Sequence, residues 1–208
     1  MSMQKEYWNK AISGLELKKP IYDLWLDKYG EILKESRRTA IIDLGCGWGS
    51  DTLYLSERGY RVISCDFSEV ALERLKMFIP EADTLLFDMK DGLPFKDGSA
   101  QIVVADLSLH YFSWEDTLRI VRDIRRVLAE DGYLLCRVNS VRDGNYGAGQ
   151  GIELEPGYFQ VDGNTKRFFD KDSLERLFDG WNKVYMEEYE IGKYAKPKVV
   201  WETAVRRI

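Results

Sequence analysis

The stretch "AIIDLGCGWGSDTLYLSERGYRVISCDFS", residues 40–68, decides the fold. The apolar, β-branched run "TAIIDL" (39–44) stops at three alternating glycines, Gly45, Gly47 and Gly49. "SDTLYLSER" follows as a helix that Gly59 stops, and "YRVISC" (60–65) is a second strand. Strand, glycine loop, helix and strand make a βαβ unit. Glycines at such a turn let the backbone approach a ligand with no Cβ in the way. The helix after them points free N–H groups at the same place. A nucleotide-like ligand is expected there, and its chemistry has to be read from the residues around the loop.

The alternation continues outward. Ser68 caps a helix "EVALERLKMFI", with Val70, Leu72, Leu75 and Phe78 on one face and Pro80 closing it. "DTLLFD" (83–88) and the very apolar "AQIVVADLSL" (100–109) read as the third and fourth strands. "SWEDTLRIVRDIRRVLAEDG" (113–132) predicts a helix capped by Ser113, striped by Leu118, Val121, Ile124 and Leu128, and ended by Gly132. "YLLCRVN" (133–139) is a fifth strand, and "KDSLERLFDGW" (171–181) a short helix behind Asp170. Two β-rich runs joined near Gly192 and Pro197 predict a terminal hairpin. Ahead of the first strand, residues 3–13 and 20–35 read as helices. The pattern predicts one α/β domain over residues 1–208, doubly wound around a mostly parallel sheet, with residues 1–38 as an N-terminal helical cap. Ligands in such folds bind at the C-terminal ends of the strands.

With 208 residues, 45% of them hydrophobic and 31% charged, the chain has the composition of a soluble domain with a real core. The net charge of −5 and pI near 5.2 lack the basic face that nucleic-acid backbones need. The three cysteines, Cys46, Cys65 and Cys136, form no C-x-x-C pair and read as reduced thiols of a cytoplasmic protein. No metal site is expected. "MSMQKEYWNK" has no apolar signal core, and no run approaches the roughly 18 apolar residues of a membrane span.

Two details of the glycine loop narrow the ligand. A nucleoside triphosphate loop needs Gly-Lys-Ser/Thr at its end, which is missing. A dinucleotide loop reads G-x-G-x-x-G, whereas here the spacing is G-x-G-x-G with Asp43 two residues ahead. A carboxylate repels a pyrophosphate and attracts an ammonium group. Asp66, 21 residues after Gly45, ends the second strand, where an acid accepts from both hydroxyls of a ribose. Asp88, followed by Met89, ends the third and can read an adenine edge. An amino-acid end, a ribose and a base without phosphate describe S-adenosylmethionine.

"IIDLGCGWGSDTLYLSERGYRVISCDFS" resembles the first two motifs of class I S-adenosylmethionine-dependent methyltransferases. The resemblance runs through "LLFDMKDGLPF", "IVVADLSLHYF" and "VLAEDGYLLCRVNS", covering roughly residues 38–140, and is nearest to the small tellurite-resistance and ubiquinone-biosynthesis types. It implies a Rossmann-like sheet of seven strands, with an antiparallel last strand inserted beside the fifth. It also implies cofactor contacts from Asp43, Gly45, Cys46, Gly47, Asp66 and Phe67, with Asp88 and Met89 at the adenine and Asp106 beside the methionine part. Gln101 departs from the Asp that often opens the fourth strand, at a position remote from the cofactor.

Other residues admit a functional and a structural role. Asp106 either orients cofactor and substrate or caps a turn. His110, the one histidine, is a candidate general base or a packed residue. In related small methyltransferases an N-terminal aromatic pair such as Tyr7 and Trp8 folds over the cofactor; alternatively the pair packs a helix on the sheet. Residues 140–169, about thirty residues without a helical pattern, contain a hairpin "YFQVDGNTKRFF" turning at Asp162-Gly163 and are expected to form a substrate lid. Arg137 needs a partner, either an internal acid (Asp143 or Glu153) or an anionic or polar substrate. Asn139, Tyr146 and Arg167 are further substrate candidates. Asp106, His110 and Tyr146 are the candidate catalytic groups.

The expected activity is methyl transfer to a small-molecule acceptor. An RNA or protein acceptor is the alternative, although the Asn/Asp-Pro-Pro-aromatic signature of base-amine methylases is missing from "ADLSLHY". A non-catalytic cofactor sensor or scaffold is a further alternative, and Asp43 disfavours an NAD oxidoreductase.

Overall fold

A computed structural model describes residues 3–208. Seven strands form one sheet in the order β3-β2-β1-β4-β5-β10-β9. β1 (Ile41–Leu44), β2 (Val62–Asp66), β3 (Asp83–Leu86), β4 (Ala100–Asp106) and β5 (Leu128–Asn139) run parallel. β10 (Lys198–Arg206) enters antiparallel between β5 and β9 (Asn182–Ile191). This is the doubly wound, Rossmann-like arrangement expected from the alternation and from the resemblance, with the terminal hairpin supplying the inserted strand.

Helices cover both faces. One core packs α5 (Trp114–Val127) and α6 (Lys171–Leu177) against the sheet through Ile120, Val121, Ile124, Leu174 and Phe178. The other seats Trp25, Leu26, Tyr29 and Leu33 with Tyr54 and Leu55 of α3 (Ser50–Glu57). Burying each Leu or Ile side chain stabilises the fold by roughly 1.5–3 kcal/mol. The caps form as the sequence predicts. Ser68 accepts the Ala71 N–H at the start of α4 (Glu69–Phe78), Ser113 accepts that of Asp116, and Asp170 forms a reciprocal capping box with Ser173. α1 (Met3–Ser13) lies across the C-terminal strand ends against α4.

Three segments differ from expectation. The long helix stops at Val127 rather than at Gly132, because Leu128 turns extended (ψ 139°) and pairs with Ala100 of β4. Leu128 fits the helical stripe by spacing, but strand register claims it. Residues 20–35 are not one helix: a 3-10 turn (Trp25–Tyr29) and a single helical turn, α2 (Gly30–Lys34), follow irregular chain. That irregular chain carries Asp23 to Arg137, which a helix starting at residue 20 would not leave room for. After β5, the predicted hairpin is β7 (Tyr158–Val161) and β8 (Asn164–Arg167), turning at Asp162 (φ 50°) and Gly163 (φ 79°). A further strand, β6 (Ile152–Glu155), joins it to make a three-stranded sheet.

Candidate active site

The site is built on the ends of β1, β2, β3 and β4. The N–H groups of Gly45 and Cys46 both donate to Cys65 O (2.8 and 2.9 Å), which folds the loop after β1 over the end of β2. Gly45 is required twice over. Its φ is +77°, and a Cβ there would lie 2.4 Å from the Cβ of Ser108. Ser108 is itself fixed, its hydroxyl donating to Leu44 O at 2.7 Å. Leu107 before it holds a left-handed backbone (φ 52°), a strained conformation of the kind that gathers at functional turns.

These turns bound a cleft with a cavity volume of about 130 Å³ that opens to solvent. Gly45 and Gly47 line one wall, and Asp66 with Phe67 the next. Phe87, Asp88 and Met89 line the β3 side, and Leu107, Ser108, Tyr111 and Phe112 the β4 side. Gln4, Trp8 and Ile12 of α1 lie over it. Asp66 Oδ2 accepts the Gly47 N–H (2.9 Å) and Oδ1 that of Ser68 (2.8 Å), so the carboxylate is aimed while keeping lone pairs toward the cleft. Asp88 Oδ1 accepts the Lys90 N–H (2.9 Å). The lining contains two carboxylates and neither Lys nor Arg. That donor set suits a ribose and an adenine rather than a pyrophosphate.

Behind the glycine loop lies a row of buried carboxylates. Asp43 Oδ2 accepts from the Thr52 hydroxyl at 2.6 Å, and that hydroxyl lies 2.8 Å from Ser64 Oγ. Burial, with Asp106 and Asp66 nearby and against the Thr52 bond, pushes the Asp43 carboxyl up to about 7. Burial and the same negative surroundings raise Asp51 well above the usual carboxylate range, although it accepts the Trp25 Nε1–H at 3.0 Å. Burial also raises Asp66, against the N–H bonds it accepts. Asp106 differs: burial would raise it, but the Arg137 charge and hydrogen bonds, helped by Lys193, hold it below the usual range. Of these acids only Asp66 lines the cleft; Asp43, Asp51 and Asp106 lie behind it.

The structure brings together Trp8, Gly45, Gly47, Asp66, Phe67, Asp88 and Met89 of the expected cofactor set. Tyr7 stands edge-on against Trp8 (5.5 Å between centroids) instead of lining the cleft. Asp43 is behind the loop, and Cys46 packs with Leu53, Leu75 and Ile79. Asp106 is engaged by Arg137, whose Nε and Nη2 donate to it at 2.7 Å while Nη1 donates to Asp23 at 2.7 Å. Arg137 is fully buried, so its partners are Asp106 and Asp23, not Asp143 or Glu153. Arg167 is likewise spent on the backbone oxygens of Phe112 and Pro156 and on Glu155, tying β6 and β8 to the turn after β4.

His110 is buried against Tyr111, ring centroids 4.3 Å apart, and its Nδ1 has no partner among the described residues. Burial and the charges of Lys198 and Lys166 hold its pKa well below the usual histidine range, so the imidazole is neutral. Neither side-chain atom of Asn139 has a partner there. The Tyr146 hydroxyl donates to Lys196 O at 3.0 Å. Sequence reasoning missed Trp48, Ser108 and Tyr111. Ser108 had a signal, a small residue directly after the fourth strand where the glycine loop must pack.

Residues 42–136 match the methyltransferase domain family. A demethylmenaquinone methyltransferase of Lactococcus lactis is 33% identical over 122 residues, 55% of this chain and 48% of that protein. An 18S rRNA (guanine-N(7))-methyltransferase of Mus musculus is 37% identical over 67 residues, 32% of this chain and 24% of that protein. The chain spans less than half the length of these curated relatives. The solved S-adenosylmethionine-dependent methyltransferase of Methanosarcina mazei has the same fold, with a TM-score of 0.73 at 18% identity, over 85% of this chain and 97% of that one.

Proposed function

We propose that this chain, a class I S-adenosylmethionine-dependent methyltransferase by domain and fold, methylates a small-molecule acceptor in the cytoplasm. The observation that carries the acceptor class is the covering of the site. Three elements converge on the turn after β4: Gln4 Nε2 and the Tyr158 hydroxyl donate to Tyr111 O (3.2 Å each), and Arg167 Nε to Phe112 O (3.2 Å). α1 lies over the cleft and β6–β8 brace the turn that forms its β4 wall, a setting that suits a metabolite better than a polymer. In this reading residues 140–169 are the lid. The net charge of −5 supports it, since RNA binding draws on a basic face. Three unpaired thiols suit a reducing compartment.

The cofactor supplies an electrophilic methyl group on a sulfonium. The chain's part is to bind, align and exclude water. Asp66 would hold the ribose hydroxyls. Phe67, Phe87 and Met89 would lie against the base, and Asp88 would read its edge. Gly45 and Gly47 let the amino-acid end approach the backbone. Asp43, behind the loop, would supply a carboxylate when a cation binds, whereas the Asp106 charge is taken up by Arg137 and Lys193. If the acceptor must lose a proton, neutral His110 would be the group to take it; the Tyr146 hydroxyl already donates to Lys196 O.

Label from radioactive S-adenosylmethionine is expected in the small-molecule fraction of a cell extract, and Asp66→Ala is expected to lose at least about tenfold in cofactor affinity. Label in the RNA or protein pellet would overturn the acceptor class. Cofactor binding without any transfer would make the chain a sensor.

The Asp43 carboxyl also predicts a pH dependence. Its acid form dominates below pH 7, and a bound cation favours the carboxylate, so binding must expel a proton on the acid side. S-adenosylmethionine affinity is expected to be flat above about pH 8 and to fall by up to about tenfold per unit below 7. Titration calorimetry at pH 6 and 8 reads this. Equal affinity at both would remove Asp43 from the cofactor's field.

A further inference from the structure

Beyond the cofactor cleft, on the far side of Tyr111, lies a second polar cluster enclosed by four segments. These are the end of β5 (Asn139), the loop after it (Asp143–Tyr146), the start of β10 (Lys198) and β8 (Asn164, Lys166). Its groups have unspent hydrogen-bonding capacity. His110 Nδ1, both side-chain atoms of Asn139 and Nδ2 of Asn164 are buried without a partner among the described residues. Each such atom costs about 1–3 kcal/mol if it stays unpaired.

Two lysines stand around them. Lys198 is buried, donates to Asp143 Oδ2 at 2.9 Å and sits over the Tyr146 ring at 4.6 Å. Lys166 has no carboxylate within 4 Å among the described residues, and its amine donates to Tyr146 O at 3.2 Å. Both lysines lie near enough to His110 for their charges to act on it. Asn139 pairs with Val200 in the β5/β10 register, which puts it on the same face as Lys198, one diagonal step away. Among the described residues Asp143 is the one acid paired directly with either lysine, while Asp162 and Asp106 act on Lys166 and Lys198 from farther off.

We infer that the methyl acceptor carries an anionic oxygen group, a carboxylate or a phosphate monoester, held by Lys166 and Lys198 with Asn139 and Asn164. The inference rests on the acceptor entering beside Tyr111. The anion is the anchor, and the methylated atom is at the other end of the acceptor, toward the cleft. Oδ1 of Asn139 then accepts a hydrogen bond from a hydroxyl or amine next to the anion.

The test is calorimetric titration of the protein loaded with S-adenosylhomocysteine, using benzoate, phenyl phosphate and the neutral isostere benzamide as probes. At least one of the two anions is expected to bind about tenfold or more tighter than benzamide. Which one does so distinguishes carboxylate from phosphate. Lys166→Gln is expected to erase that preference, and Lys166→Arg to restore most of it, with S-adenosylhomocysteine affinity unchanged in both. Lys166 is half-exposed and makes one hydrogen bond to a carbonyl, so these variants fold. If the protein binds S-adenosylhomocysteine but the anions bind no better than benzamide, or Lys166→Gln keeps the preference, the anionic anchor is wrong and the methyltransferase reading stands. If S-adenosylhomocysteine itself does not bind, both fall.

Discussion

Gly45→Ala is expected to abolish measurable cofactor binding, with Kd weakened by about a hundredfold or more, while the fold survives. Two independent costs meet at that one methyl group. The backbone sits at φ +77°, where a Cβ costs about 1–2 kcal/mol. The new Cβ would also lie 2.4 Å from the Ser108 Cβ and 3.0 Å from its hydroxyl. Ser108 cannot swing away freely, because its bond to Leu44 O ties β4 to β1 across the cleft. The loop must therefore lift off the end of β2, breaking the Gly45 and Cys46 bonds to Cys65 O and moving the N–H of Gly47 from Asp66. Relief of the contact in Gly45→Ala/Ser108→Gly should recover part of the loss, leaving the backbone cost. Titration of both variants with S-adenosylhomocysteine checks this. Wild-type affinity in Gly45→Ala would mean that the loop does not approach the ligand.

Arg137→Met is expected to destabilise the protein by about 3–5 kcal/mol, and to lower Tm by about 10 °C for a domain of this size. The guanidinium is fully buried and bonded to two carboxylates, Asp106 and Asp23, with the Trp25 ring 4.7 Å away. Removing it leaves Asp106 facing Asp43 and Asp51 with Lys193, at 3.4 Å, as its remaining salt-bridge partner in the described structure. Pairing the change with Asp106→Asn should return much of the lost stability, since the uncompensated charge carries most of the cost. Thermal melts of the single and double variants decide it. A single variant within about 1 kcal/mol of wild type would show that Arg137 is not the counter-charge of this cluster.

The contrast between these two positions shows what a sequence can disclose. The glycines and the acids at the ends of β1–β3 stand at short, regular intervals set by the βαβ pattern, so their gathering at one cleft is local and legible. Arg137 could be seen to need a partner, but Asp23 lies 114 residues away in irregular chain, and no spacing rule links them. Leu128 satisfies both the helical stripe and strand register, and the pairing with Ala100 decides between them. β6, "IELE", is short, charged and mostly exposed, so it reads as loop until its neighbour β7 supplies hydrogen-bond partners. Tyr111 becomes a wall of the cleft only because Trp8, more than a hundred positions earlier, packs edge-on against it at 5.2 Å.

The position of β10 has a consequence for how the protein is made. β9 leaves the ribosome before β10, yet its place in the sheet is on the far side of β10. Until residues 198–206 emerge, the nascent chain presents the bare edge of β5 and cannot cover it with what has already been synthesised. The buried acid Glu202, which receives the Tyr29 hydroxyl at 2.5 Å and the Lys28 ammonium at 2.8 Å, arrives with the same strand. Translation must therefore run almost 160 residues past β1 before the segment around Tyr29 finds its polar partner. Chaperone protection of that open edge is thus a demand of strand order alone.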